Sequence, residues 1–362
     1  MDFRLEEEQQ MLQDAIHRLA AERMRATYRE ADEDGELPAD VVQAGWEMGL
    51  LPTAIPEAFG GLGEHSVTTN VVAIEALAWG DLAMTIAIMQ PALFAVPIML
   101  AGTDAQKEEW LPRFCGPKPP TVTAALMEKG IHFDPRQLRT SAERGNGDFV
   151  LNGKKTMSPL ADSAGNILVY ANEAGKTQAF IVAADGEGVT VGERDKLMGI
   201  KALPTFEVDL QNVTVPASAR LGGEAGIDFE KILAHSRVAL GAAAVGVARA
   251  SYEYAMAYAK DRVQFGEPVA HRQSIAFMLA EMAIDIDAAR LMVWEAAWLL
   301  DQGEPTIRET ALLKHTIDEM VLKVCDRGLQ ALGGHGYIRE HPVEMWLRNA
   351  RGFSTFDGLL IA

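Results

Sequence analysis

The stretch that most constrains this chain is Phe229 to Arg262. It reads as one long helix, rich in small side chains: Ala239, Gly241, Ala242, Ala243, Ala244, Gly246 and Ala248. Side chains that small let neighbouring helices come close. Two more long amphipathic helices are predicted over Ser274–Gln302 and Pro305–Leu332, separated by Gly303. With a shorter helix after them, they predict a four-helix bundle.

The bundle leads into an unusual end. Gly333, Gly334 and Gly336 break the third helix. Glycines so close together let backbone turn sharply and approach a ligand, and their amides can hold a pyrophosphate. Pro342, Val343 and Glu344 suit a helix start, and Arg348 and Arg351 follow on that helix. It stops near Gly352, and a loop presents Asp357 before Gly358. A carboxylate on such a loop suits a proton-abstracting base if a pocket surrounds it. From the glycines alone, a plain helix connection and a surface aspartate explain the stretch as well.

Ahead of the bundle the pattern changes twice. Residues 2–118 read as helices: a stripe of Phe3, Leu5, Met11, Leu12, Ile16 and Leu19, a helix from Pro38 to Met48, and a loop over Pro52–Gly63. Two buried helices follow over Thr68–Leu82 and Met84–Leu100, then one over Asp104–Phe114 capped by Thr103 or Asp104. Pro117, Pro119 and Pro120 mark a boundary. Residues 121–221 carry short strand-like runs at 167–171, 179–183, 189–191 and 206–210, with Asn152-Gly153 as a hairpin signal. The prediction is α+β in three domains: an all-α domain (1–118), a small β-barrel or sandwich (119–222) and a four-helix bundle (223–362).

Composition removes several classes. Acidic residues number 51 against 33 basic, for a formal charge of -18. That argues against nucleic acid as a partner, which needs a basic surface. No apolar run approaches the length that spans a bilayer, and the acidic, helix-patterned start does not read as a signal peptide. Cys115 and Cys325 have no metal-ligand spacing; no metal site is predicted, and a reducing, cytoplasmic setting is.

The stretch Gln330–Arg351 resembles the acyl-CoA dehydrogenase signature Q-x-x-G-G-x-G-Y-x-x-E-x-P-V-E-x-x-x-R-(D/N)-A-R almost position by position. Phe59–Gly63 resembles the family's F-G-G-x-G loop, and Arg262–Pro268 its R-x-Q-F-G-x-P loop. The resemblance covers nearly the whole chain. It implies FAD as cofactor, an acyl-CoA substrate, an electron-transfer flavoprotein as partner and an oligomer, commonly a dimer of dimers. Arg262, Gln264, Phe265 and Gln273 would hold the pyrophosphate and adenine of a neighbouring subunit's FAD, with Gln330, Gly333 and Gly334 as a second contact. A guanidinium fork suits phosphate. Asp357 stands where the family's catalytic Glu stands. Phe133, Phe356, Gly358 and Arg237 would lie near substrate.

Two family motifs depart from the pattern. Leu126–Asp134 matches the run M-T-E-P-x-A-G-S-D, but the flavin-touching Thr is Met127 and the Gly-Ser pair is His132 and Phe133. Asn152–Ala161 matches N-G-x-K-x-W-I-T-N-G, but the stacking Trp is Met157 and the Thr near the flavin is Pro159. Leu359 also replaces a Thr that helps bind FAD. The ring side of the site therefore has fewer polar partners than usual. Asp is one methylene shorter than Glu, roughly 1.5 Å less reach. These departures admit two alternatives. One is a degenerate partner subunit of a heteromeric acyl-CoA dehydrogenase. The other is a flavin enzyme on another carbon acid, nitroalkane-like or a carrier-bound acyl group.

Overall fold

The computed structural model describes residues 4–145 and 147–362, so Phe3 of the first predicted stripe lies outside them. Helix α1 (Glu7–Leu19) runs through a π-helical turn into α2 (Arg25–Asp34). Then come α3 (Ala39–Glu47), α4 (Leu50–Ala54), α5 (Val67–Gly80), α6 (Leu82–Met89), α7 (Ala92–Ala101) and α8 (Asp104–Trp110). Ile16 anchors the buried side of α1, whereas Met11 is exposed. Five residues put it about 140° around the helix from Ile16. The caps follow from the residues: Ser66 accepts from Thr69 N–H, Asp81 accepts from Met84 N–H, and Thr103 forms a capping box with Gln106.

Two helical expectations are corrected. The predicted loop at 52–63 begins helically, because Pro52 falls in the first turn of α4, where a missing N–H costs nothing. The single helix predicted over 84–100 is two, α6 and α7, bent by 45°. Pro91 has no N–H to continue the ladder of α6. At the break, Gln90 donates its side-chain amide to the Val122 carbonyl.

The middle of the chain forms β1 (Val122–Ala125), β2 (Ser141–Arg144), β3 (Asp148–Pro159), β4 (Asn166–Glu173), β5 (Lys176–Ala183), β6 (Val189–Arg194) and β7 (Thr205–Pro216). They make one mixed sheet in the order β1-β4-β2-β3-β7-β6, with β5 also on β4. The hairpin predicted at Asn152-Gly153 is not there. Both residues lie inside β3, at a bulge between Leu151 and Gly153. A Cβ on Gly153 would lie 2.5 Å from Thr140 Oγ1, so glycine serves close packing here and not a turn. The actual tight hairpin joins β4 to β5 through Ala174 and Gly175, both at positive φ.

The last part holds α9 (Phe229–Asp261), the short strands β8 (Val263–Gln264) and β9 (Glu267–Pro268), α10 (Gln273–Asp301), α11 (Ile307–Ala331) and α12 (Val343–Gly352). Helix α9 is the central pillar. A Cβ on Gly246 would lie 2.4 Å from the Glu75 carbonyl of α5, and one on Gly241 would lie 2.9 Å from Val293 of α10. The small residues are therefore what bring α5, α10 and α11 against α9. By length and composition α9 passes as a membrane-crossing helix, contrary to the sequence expectation, but 89% of its apolar window is buried inside the protein. Buried Glu75 on α5 accepts from Arg249 of α9 and Arg290 of α10, cross-bracing the first helices to the bundle.

Candidate active site

Asp357 sits on the loop that follows α12. A 3-10 turn over Phe353–Thr355 reverses the chain, and Phe356 folds under Gly352, where a Cβ would meet its ring at 2.2 Å. Gly358 adopts φ 68°, and its N–H donates to Ser236 Oγ at 3.2 Å. A Cβ on Gly358 would lie 2.7 Å from Leu126. The loop is thus pinned between α9 and the end of β1.

The Asp357 side chain is only 14% exposed, and its Oδ1 lies 3.8 Å from Arg237 Nε. That is too far for a hydrogen bond. Neither atom has a hydrogen-bond partner among the described residues. Burial pushes the carboxyl above its usual range, while Arg237, Lys314 and Arg136 pull it back down. Two of these cations are already engaged. Arg136 makes a bidentate pair with Glu230 at 2.7 and 2.8 Å, and Lys314 donates to Asp318 and to the Phe353 carbonyl. Arg237 on α9 is the cation with an uncommitted donor facing Asp357.

A second group of predicted residues lies at the end of β1, in β3 and on the terminal segment. Met127 is buried, and its carbonyl accepts from Thr156 N–H at 2.9 Å. Pro159 is also buried, its carbonyl accepting from Thr123 Oγ1 at 2.6 Å, and Leu359 is buried in the core. Phe133 is half-buried against both helical cores, and Phe356 is buried. Met157 lies at a bulge in β3 with φ 53°, a strained conformation for a side chain of this size. It lines a groove of about 190 Å³ with Ile200, Arg351, Gly352, Thr355 and Phe356. Behind this wall lies an ion pair the sequence reading did not single out. Lys155 Nζ, fully buried, donates to Glu128 Oε1 at 2.9 Å and to the Leu126 carbonyl at 3.1 Å. Glu128 also accepts from the N–H groups of Arg139 and Thr140 at 2.8 and 2.9 Å. Burial alone would raise the Glu128 carboxyl, but Lys155 and these donors hold it at about 2.

The third group comes together elsewhere. Arg262, Gln264, Phe265, Gln330, Gly333 and Gly334 all line one cavity of about 650 Å³. The local fold explains the projection of Phe265. β8 and β9 pair through the two-residue turn Phe265-Gly266, both at positive φ, which leaves Phe265 93% exposed. Left-handed backbone under a bulky residue costs roughly 1–3 kcal/mol and persists where function uses it. Gly333 and Gly334 have open space where a Cβ would be, so backbone amides are accessible there. Gln273 starts α10 but does not line the cavity. Tyr258, Arg272 and His335 line it and were missed. Arg272 stands one residue before Gln273, a spacing that could have suggested a second phosphate-binding guanidinium.

The two cavities fit the two ends of a flavin dinucleotide. The larger one combines two guanidinium groups, open glycine backbone and a projecting aromatic ring, the donor set for a pyrophosphate with an adenine. The groove at Met157 is mostly apolar and suits a flat ring system. They share no lining residue.

Comparison with known proteins agrees. Family models for the acyl-CoA dehydrogenase N-terminal, middle and C-terminal domains match residues 6–117, 123–213 and 227–359. The probable acyl-CoA dehydrogenase FadE25 of Mycobacterium tuberculosis is 33% identical over 98% of this chain and 93% of its own. The caffeyl-CoA reductase-Etf complex subunit CarC of Acetobacterium woodii is 33% identical over 91% of this chain and 88% of its own. The solved structure of butyryl-CoA dehydrogenase from Megasphaera elsdenii is 30% identical and superposes with a TM-score of 0.89, covering 98% of this chain and 96% of that one.

Proposed function

The chain belongs to the acyl-CoA dehydrogenase family, and on that premise we propose how its residues divide the FAD-dependent α,β-dehydrogenation of an acyl-CoA. Asp357 is the base. The observation that carries this is a buried carboxylate with one uncommitted oxygen, raised above its usual range and opposite Arg237. Its Oδ1 takes the proton from Cα of the thioester, and Arg237 keeps the carboxylate ionised to receive it. Leu126, packed on Gly358, and the buried Phe356 keep water from the base, and Phe133 lies near substrate. When bound, FAD accepts the hydride that leaves Cβ. Met157, Met127, Pro159 and Leu359 back the ring. Arg262, Gln264, Phe265, Gln273, Gln330, Gly333 and Gly334 hold the pyrophosphate and adenine, helped by Arg272. The electrons then pass to an electron-transfer flavoprotein, a partner that the name of the CarC relative supports. The free cysteines Cys115 and Cys325 support a cytoplasmic setting. The test is anaerobic titration of the yellow protein with butyryl-CoA, which bleaches the flavin absorbance; an unchanged spectrum refutes the reading.

The separation of the two cavities supports an oligomer in which each large cavity serves a neighbouring protomer's FAD. Helix α10 supplies a surface for it. Phe277, Ile284, Leu291 and Trp298 recur every seven residues on α10 and are all exposed. An apolar stripe of that period on a long helix is a packing seam. The double change Ile284→Glu and Trp298→Glu is expected to reduce the sedimenting species to the 39.3 kDa monomer and to strip FAD with it. An FAD-loaded monomer rules out the shared site.

The pH dependence follows from Asp357. A base raised by burial is protonated, and idle, below its folded pKa and active above it. kcat/KM is therefore expected to climb with pH through a midpoint above the ordinary aspartate value. Arg237 lowers that midpoint, so Arg237→Gln moves the acid limb to higher pH. A limb that stays in place removes Arg237 from this role.

A further inference from the structure

The segment that follows Asp357 needs an anchor. Residues 358–362 have no helical or strand ladder of their own, yet Leu359, Leu360, Ile361 and Ala362 are all buried. Apolar burial is non-directional, so it does not by itself fix where such a segment stops along its groove. Hydrogen bonds are directional and do. They come from one turn of α9, the residues His235, Ser236 and Arg237. At the near end Gly358 N–H donates to Ser236 Oγ at 3.2 Å, and Arg237 faces Asp357 at 3.8 Å. At the far end Ala362 N–H donates to the His235 carbonyl at 3.4 Å, and His235 Nδ1 lies 2.6 Å from the Ala362 carbonyl oxygen.

The chemistry of the far tie is fixed by its acceptor. A carbonyl oxygen only accepts, so His235 Nδ1 carries the hydrogen and Nε2 is the bare lone pair. That Nε2 has no partner among the described residues. Burial pushes the buried His235 imidazole down to about 3; the Ala362 backbone opposes the shift, while His65 and Lys231 add to it. The ring is therefore neutral wherever the enzyme is assayed. His65, from the loop ahead of α5, lies against it with ring centroids 5.5 Å apart, and burial pushes His65 down as well. A lysine here would bury a charge, and a leucine would donate nothing. Histidine supplies a short, neutral donor.

Resting on Asp357 as the base, we propose that His235 is a positioning residue for it: the Nδ1–H bond to Ala362 holds the buried segment in register on α9 and so sets where Asp357 stands relative to Arg237. Without that bond the segment keeps its apolar contacts but loses its far stop. Slippage is then passed to the one end that carries the carboxylate, because Gly358 is tied only through Ser236.

The test follows anaerobic flavin reduction of the FAD-loaded full chain by saturating butyryl-CoA across a range of pH. His235→Leu fills the space without a donor. It is expected to slow reduction by about tenfold to a hundredfold, the cost of roughly an ångström of misplacement. His235→Asn, whose side-chain nitrogen stands as many bonds from Cβ as Nδ1 does, restores most of the rate. The acid limb moves to lower pH in His235→Leu and stays in place in His235→Asn. The reason is that a slipped loop returns the carboxylate to water, and burial is the largest cause of its raised value, ahead of the charges of Arg237, Lys314, Arg136 and Asp134 that face it. A purely structural role would lower the unfolding midpoint and leave the rate per bound flavin and the acid limb unchanged, and that result overturns the inference. If His235→Leu holds no FAD, the wild type decides: the imidazole ¹⁵N signals that vanish in His235→Asn must be those of a neutral ring with hydrogen on Nδ1, and an Nε2–H or protonated ring overturns the inference. A loaded Asp357→Asn variant reduced as fast as the wild type removes the base reading and this inference with it. His235→Leu matching the wild type beside a slow Asp357→Asn removes this inference alone.

Discussion

Asp357→Asn is expected to slow anaerobic flavin reduction by acyl-CoA by a factor on the order of 10²–10⁴, the usual worth of a positioned general base. The substitution keeps the shape of the side chain and removes its proton affinity. The loop is held by contacts that do not involve the carboxylate: Gly358 N–H on Ser236, Gly358 against Leu126, and Phe356 under Gly352. Loop geometry and FAD content are therefore retained in the variant. Rapid-mixing absorbance at the flavin band measures the rate, and the absorbance ratio of flavin to protein measures the loading. A loaded variant that is reduced as fast as the wild type shows that another group takes the proton. No other carboxylate among the described residues combines burial, an uncommitted oxygen and a cation opposite it in this crevice. Asp318 is bonded to Lys314, Asp134 accepts from Arg136 N–H, and Glu230 is locked to Arg136.

Lys155→Met is expected to destabilise the protein by about 3–5 kcal/mol, the cost of leaving one member of a buried ion pair without its partner. The Glu128 side chain is only 3% exposed and sits between β1 and β2. Its two backbone donors remain in the variant, as does the exposed Arg139 guanidinium 3.6 Å from Glu128 Oε2, but neither replaces the buried ammonium. The direction with pH can be worked out. The folded Glu128 carboxyl is held at about 2, below its unfolded value. It therefore contributes stability that is present above the unfolded pKa and is lost as pH falls towards 2. With Lys155 gone the folded pKa rises, so the variant loses most near neutral pH and least in acid. Denaturant unfolding at pH 7 and pH 4 measures both. A variant as stable as the wild type at pH 7 would mean that the lysine is neutral in the native protein. Because Lys155 also donates to the Leu126 carbonyl, the variant loosens the segment that Gly358 packs on, and activity falls with stability.

Much of the fold was legible because it rests on local signals. The three long helices of the bundle appear within a residue or two of their predicted ends, since each combines apolar periodicity with a clear stop. β4, β5, β6 and β7 lie where short apolar runs alternate with turn residues, and Thr103 caps α8 as its side chain suggested. The failures share a cause. At Asn152-Gly153 the dipeptide promised a turn, but Gly153 is there because Thr140, brought in by β2, leaves no room for a Cβ. Between α6 and α7 the apolar run continued, and only the proline geometry and the tie from Gln90 to Val122 divide it. The exposed stripe on α10 was read as part of an amphipathic helix, because periodicity cannot tell which apolar face meets the core and which stays outside it.

The site divides in the same way. Gln330, Gly333, Gly334, Arg262 and Phe265 could be named from the chain because they fall in compact motifs that resemble those of the family. That they all line one cavity, separate from the Met157 groove, is a product of α9, α11 and the β8–β9 turn meeting in space. Asp357 was identifiable as the candidate base through the family resemblance, because it stands where the family's catalytic Glu stands. Its raised carboxyl and the further cations around it were not, because Lys314 and Arg136 come from distant positions on α11 and ahead of β2. The order of residues by itself determined which helices form, which family the motifs belong to and which side chains are candidates for the chemistry. Tertiary structure alone decided which charges face Asp357 and how deeply it is buried. Both depend on burial and on distances between segments far apart in the chain, and no local pattern encodes those.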